Sequence, residues 1–396
     1  MERRDLLKGV ALGGVAGSAM GLLAPYLQAS EAASSGSEAE RALAELLAML
    51  AELDADFSRP EWRLRTPQDF AEARRLLLHT LVHGLQVWME GDPHRPFFRP
   101  FINTHKKLLG DNPDALYHSA VIDDGHRYRI FGNLADATYT SFTVELGVGS
   151  ESSGLGSTLN DTQFKTDADG NYEIILSADE ERGNWMRLPA GATSVTTRHY
   201  YERQTSIGRD PLHRIPIAIE NLDRSGPRAA PSDASVAASI RRVTVFMRQN
   251  IIRLDASNSP AWVSRTPNQF ALPAGNESNQ NIAYAAADNV YAMAPFFLQP
   301  HQALVMTGRF PRARFGNVML WNQFMQTFDY ETRQVSLNRE QVQLEADGSF
   351  RIVIAHKDPG TPNWLDTEGR MFGMIFWRFL LPSESADPIN TEVISL

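Results

Sequence analysis

The chain has 396 residues, 43% of them apolar, with 47 acidic and 38 basic side chains for a net charge of −9, and it contains no cysteine. That length and apolar content allow one or two full cores and exclude a disordered chain. The acidic charge is spread and no basic stripe interleaves with aromatics, which argues against a nucleic-acid partner, and the missing cysteines exclude disulfides, thiolate metal sites and a cysteine nucleophile.

The sequence opens on Glu2-Arg3-Arg4-Asp5-Leu6-Leu7-Lys8 and a Gly- and Ala-rich apolar run from Gly9 to Ala24. An arginine pair ahead of a weakly hydrophobic run resembles a twin-arginine export signal. At about 16 residues the run is short for a spanning helix. Residues 1–32 therefore read as a signal peptide cleaved near Ala32, with an uncleaved anchor as the other possibility. Cleavage leaves no stable membrane span and a periplasmic or secreted protein.

Further along, Ser37-x-x-Glu40 forms a capping box, and Leu43, Leu46, Leu47 and Leu50 fall on one face of a helix. Thr66 is placed as an N-cap with Pro67 at the first helical position, and Phe70, Leu77, Leu81, Leu85 and Trp88 follow before Gly91. The pattern then changes to period two, with strands predicted over 117–122, 128–131, 140–146, 172–176 and 195–201. A linker over 223–235 precedes a helix carrying Val236, Ile240, Val243 and Ile251. Strands are predicted again over 291–298, 303–307, 318–324, 350–355 and 371–381.

The two sets repeat one another. Leu53-Asp54-Ala55, Pro60-x-Trp62 and Thr66-Pro67-x-x-Phe70 recur as Leu254-Asp255-Ala256, Pro260-x-Trp262 and Thr266-Pro267-x-x-Phe270. Asp114-x-x-Tyr117, Thr158-Leu159-Asn160, Asp169-Gly170 and Asn184-Trp185 recur in order as Asp288-x-x-Tyr291, Ser336-Leu337-Asn338, Asp347-Gly348 and Asn363-Trp364. Pro273 and Gly275 follow Thr266-Pro267 closely, so the second copy of that helix is expected to be cut short. The predicted fold is mainly β with helical N-terminal segments, built as tandem duplicated antiparallel β-sandwich or jelly-roll-like modules over 37–222 and 236–396.

Residues 112–123, Asn112-Pro113-Asp114-Ala115-Leu116-Tyr117-His118-Ser119-Ala120-Val121-Ile122-Asp123, resemble a known pattern together with the block from Ser336 through Asp347-Gly348-Ser349, Pro359-Gly360 and Asn363-Trp364-Leu365 to Arg378. That pattern is the paired domain-of-unknown-function families 1254 and 1214. The C-terminal resemblance covers about residues 300–382. It implies an exported β-sandwich protein and no established reaction. Ala115, Asn289 and Asn338 depart from the usual pattern.

Several residues carry chemistry in this sequence. Asp114-x-x-Tyr117 and Asp288-x-x-Tyr291 precede strands, where the carboxylate either acts as acid or base beside an orienting phenol or caps the strand in an Asx turn. Asn363-Trp364 offers a flat apolar face beside an amide, or a structural turn with a core indole. Arg378, in the apolar run 376–380, must find a carboxylate, a carbonyl or a ligand anion if it points inward, unless it lies on an edge strand. His356-x-Asp358 places two side chains on one face, but the first copy has Ala178 and Glu180 there and no further ligands stand out, so no metal is expected. A Gly-x-Ser-x-Gly elbow, a phosphate loop and a dinucleotide fingerprint are all missing, and the sequence calls for no cofactor.

Taken together, these residues predict a small polar or carbohydrate-like ligand in a cleft between the copies, bound by Asp114, Tyr117, Tyr291, Trp321, Asn363, Trp364 and Arg378. Two alternatives stay open. One is a carboxylate-dependent hydrolase or lyase using Asp288, His356 and Asp358; the other is a structural envelope protein without a ligand.

Overall fold

A computed structural model describes residues 36–148, 151–223, 226–227, 229–251, 259–275, 286 and 288–396. The expected export signal lies outside these residues. Helix α1, Glu38–Asp56, starts in its capping box, with Ser37 Oγ accepting from Glu40 N and Glu40 Oε2 from Ser37 N. Helix α2, Pro67–Gly84, starts in a second box made by Thr66 and Asp69 and runs on into a π-helical turn over Leu85–Met89. Helix α3, Asp233–Asn250, begins inside the stretch read as linker, capped by Ser232.

The helices of the two copies are packed together. Asp233 accepts from the Glu38 and Ala39 amides at 2.8 and 3.1 Å, capping the other copy's helix, and Arg248 pairs with Glu52 at 2.8 Å. Ala42, Leu46 and Met49 of α1 share one core with Leu76 and Leu77 of α2 and with Ile240, Val243 and Phe246 of α3. Full burial of each large apolar side chain contributes about 2 kcal/mol. This core is common to both copies.

The strands are β1 (Arg99–Pro100), β2 (Ala115–Val121), β3 (Tyr128–Asn133), β4 (Tyr139–Val148), β5 (Glu151–Asn160), β6 (Asn171–Ser177), β7 (Trp185–Arg187), β8 (Ala192–Tyr200) and β9 (Ile217–Asn221) in the first copy. The second copy has β10 (Asn289–Phe297), β11 (Gln302–Gly308), β12 (Phe315–Trp321), β13 (Ser336–Asn338), β14 (Phe350–Ala355), β15 (Trp364–Asp366), β16 (Phe372–Leu380) and β17 (Asn390–Ser395). The first copy stacks sheet β1-β2-β8-β4-β5 on sheet β7-β6-β3-β9, and the second stacks β10-β16-β12-β13 on β15-β14-β11-β17. Apart from β1, the two orders correspond strand for strand. Ile130, Phe142, Val144, Ile174 and Val195 fill the first sandwich, and Phe296, Leu304, Val318, Phe350 and Trp377 the second. Asp169-Gly170 and Asp347-Gly348 occupy equivalent turns before β6 and β14, where Gly170 and Gly348 take φ of +82° and +81°.

The sheets are antiparallel as expected, apart from one short parallel pair in each copy, β6 with β7 and β14 with β15. Two expectations need correction. The strand expected over 318–324 ends at Trp321. Thr266-Pro267 begins no helix: Asn268 adopts a left-handed φ of +62° and its amide bonds both Phe297 N and Phe297 O at 2.9 Å, holding this segment along β10.

Candidate functional site

The register places Tyr117, Arg198, Ser141 and Asn160 side by side across β2, β8, β4 and β5. In the second copy Tyr291, Arg378, Asn317 and Asn338 stand in the same row. Just before β2, Asp114 reaches across to the second row, accepting from Asn317 Nδ2 at 2.9 Å and Asn338 Nδ2 at 3.1 Å. Asp288, just before β10, reaches back to accept from Asn160 Nδ2 at 3.2 Å and from the Tyr139 hydroxyl. Each aspartate therefore holds the other copy's asparagine. Burial raises the Asp114 pKa, and the hydrogen bonds from Asn317, Ser206 and Asn338 oppose that shift.

Arg378 lies on β16, an interior strand, and is only 5% exposed. Its Cζ stands 5.7 Å from the Tyr200 and Tyr291 ring centres and 5.3 Å from that of Phe376, and Nη1 donates to Tyr117 Oη at 3.4 Å. Nε has no hydrogen-bond partner, and no carboxylate among the described residues pairs with the guanidinium. Burial also pushes the Tyr117 and Tyr291 phenols above their ordinary pKa, so both are neutral at physiological pH.

Beyond this row the two copies diverge. On the same sheet face, Ser119, Thr143, Glu145, Ser194 and Thr196 of the first copy occupy the register positions of Met293, Met319, Trp321, Met374 and Phe376 in the second. All ten are buried. In the second copy the apolar side chains close on one another and on Trp262, with Trp321 stacked on Phe376 at 4.1 Å. In the first, Arg198 Nη1 donates to Thr143 Oγ1 at 2.9 Å, while Ser194 Oγ and Thr196 Oγ1 have no hydrogen-bond partner among the described residues. Leaving a buried hydroxyl unbonded costs about 1–3 kcal/mol, and such a group is ordinarily met by an ordered water or a bound ligand. Sequence reasoning missed this face, although aligning the two copies residue by residue exposes it.

The remaining predicted residues lie elsewhere. Asn363 donates to Gln343 O at 2.7 Å and Arg351 O at 3.1 Å and accepts from Gln343 N at 2.9 Å. Asn184 repeats this pattern with Lys165 O, Glu173 O and Lys165 N. Trp364 Nε1 donates to Ala355 O at 3.0 Å, as Trp185 Nε1 does to Ser177. Both Asn-Trp pairs are struts in the sheet away from Arg378, so they cannot close a pocket over it. Trp321 is buried, its Nε1 held by Asp111 O and Thr327 Oγ1 at 3.0 Å, and offers no exposed ring face. His356 is bonded to Leu298 O and Thr367 Oγ1, and Asp358 accepts from Gly360 N at 2.8 Å in a turn. These two follow β14 in the far sheet and do not converge with Asp288.

One family matches this chain at two places. It is described as Protein of unknown function (DUF1214), and its model fits residues 138–204 and 297–384. Both matches include the central strands, β4 to β8 in the first copy and β12 to β16 in the second, as a duplication requires. The match within the first copy is thus to family 1214 and lies after the 1254-like residues 112–123. No curated protein matches the sequence. A crystal structure of an uncharacterised protein from Burkholderia cenocepacia superposes with a TM-score of 0.78 at 26% identity, over 89% of this chain and 96% of that one. It shares the two-copy arrangement. The VPA0106 protein from Vibrio parahaemolyticus is more distant, with a TM-score of 0.49 at 10% identity over 82% of this chain and 98% of that one.

Proposed function

We propose that this is an exported binding protein whose ligand, small, polar and carbohydrate-like, sits on the polar face of β2, β8 and β4 where the first copy meets the second. The observation that carries this reading is the pair of buried, unbonded hydroxyls at Ser194 and Thr196, at positions the second copy fills with Met374 and Phe376. A hydroxyl-rich ligand supplies the missing partners, and the Tyr117 hydroxyl lies on the same face. In the same reading, Arg3-Arg4 directs export and residues 112–123 form the 1254-like half of a fused pair. The hydrolase or lyase alternative finds less support, because His356 and Asp358 lie away from this face.

The test is a thermal-shift screen of the mature protein against a sugar and metabolite library, run beside Ser194→Ala/Thr196→Val. A ligand that stabilises the wild type and fails to stabilise the double variant is the expected result. Equal responses in the two proteins would remove this face from the site.

A further inference from the structure

Resting on that reading, we propose that the ligand is an acid: a hydroxylated carboxylate of sugar-acid size whose carboxylate docks on Arg378 while its hydroxyls face Thr196 and Ser194. The guanidinium is the starting point. It is buried in an interior strand, and the Tyr117 and Tyr291 phenols beside it bring no countercharge, because burial holds both in their neutral form. Ring faces attract a cation but do not neutralise it, and a buried charge demands a partner of opposite sign.

The geometry of the fork narrows the partner. Nη1 is engaged by Tyr117 Oη at 3.4 Å, and Nε is unbonded. The side of a guanidinium that carries Nε–H and the adjoining Nη2–H presents two parallel donors, which match the two oxygens of a carboxylate. Walls formed by the Tyr200, Tyr291 and Phe376 rings suit a planar group better than a tetrahedral one.

The ligand's other end follows from strand geometry. Ser194, Thr196, Arg198 and Tyr200 alternate along one face of β8, at about 6–7 Å per pair of residues. Arg378 stands against Tyr200 and Tyr117 at one end of this row, and the unbonded hydroxyls lie at the other. The span from Thr196 to Tyr200 is about 13 Å, the length of a hydroxylated acid of one or two sugar units.

Titration calorimetry of the mature protein with gluconate, glucuronate, glucose and glucose 6-phosphate tests the assignment. The acids are expected to bind at least tenfold more tightly than glucose, and Arg378→Met to abolish that preference while leaving the affinity for glucose unchanged. Arg378→Lys keeps the charge, loses the fork and is expected to weaken acid binding at least tenfold; it decides the matter if the Met variant does not fold. Glucose binding as tightly as gluconate overturns the acid assignment and leaves the polar-face reading standing. Preference for glucose 6-phosphate over both acids overturns the carboxylate. Silence with all four compounds at millimolar concentration overturns this proposal, while a hit elsewhere in the library that depends on Thr196 would still uphold the site.

Discussion

Thr196 and Phe376 stand at the same register position in two copies of one sheet, yet Thr196 buries an unbonded hydroxyl while Phe376 stacks on Trp321 at 4.1 Å. The second copy is closed by its own side chains. On this face the first leaves the Ser194 and Thr196 hydroxyls without a partner among the described residues, and it is this difference that the proposed binding site rests on.

The exchanged aspartates predict one cooperative unit. Asp114 and Asp288 each bond into the other copy, and α1, α2 and α3 share a core. Calorimetry should give a single transition whose calorimetric and van't Hoff enthalpies agree. Two separable transitions would show that the copies fold independently.

Removing Asp114 orphans one N–H of each of the Asn317 and Asn338 amides in a buried site, while Asn112 Oδ1 and Arg203 O keep the other. Asp114→Ala should destabilise by about 2–4 kcal/mol, since each orphaned donor costs about 1–3 kcal/mol. A double-mutant cycle with Asn317→Ala should return a coupling of at least about 0.5 kcal/mol; strict additivity would contradict the contact. The pH dependence has a definite sign. Because the folded Asp114 pKa is raised, the folded state holds this proton where the unfolded chain has released it, so wild-type stability relative to Asp114→Asn should fall as pH rises above the ordinary aspartate range.

Histidines predict the acid limb. Burial pushes His118 down to about 4 and the fully buried His199 well below its ordinary value. Both are neutral when folded, so their contribution is fully present above about pH 6.5 and is lost as pH falls toward 4. Melting temperature measured across that window should drop, and less steeply for His118→Gln. An unchanged slope in the variant would exclude His118 as a cause.

Asn363 ties three backbone groups together and touches nothing on the polar face. Asn363→Ala should cost about 2–4 kcal/mol and leave any ligand response intact. A variant of native stability that loses the response would restore Asn363 to the site.

Export is tested by replacing Arg3 and Arg4 with Lys. The charge is kept and the receptor-read pair is lost, so precursor should accumulate in the cytoplasm. Unchanged yield of mature protein in the periplasm would refute the twin-arginine reading.

Much of the architecture was legible because alternating apolar residues mark strands with one buried face, as in 117–122 and 350–355. Strand β5 was not, since Glu151–Asn160 is rich in Ser and Gly and shows no such alternation. The site was harder to read for a physical reason. Ser119, Ser194 and Thr196 look like the wet side of an ordinary half-exposed strand, and only the cover of that face in three dimensions makes their hydroxyls costly. Trp321 and Trp364 were attractive as ring platforms, but backbone and hydroxyl acceptors already hold their indole N–H groups. The apolar run around Arg378 suits an inward or an edge-strand place equally, and its interior place in the sheet excludes the edge-strand alternative.

The most direct measurement of the central claim needs no ligand. Thr196→Val keeps the shape and deletes the unbonded hydroxyl. If that hydroxyl is kept for a ligand and bonds nothing in the protein, the ligand-free variant should be more stable than wild type by about 1 kcal/mol, a rise in melting temperature of about 2 °C. A fall of similar size would show that Thr196 Oγ1 is bonded within the fold and that the polar face serves the structure alone.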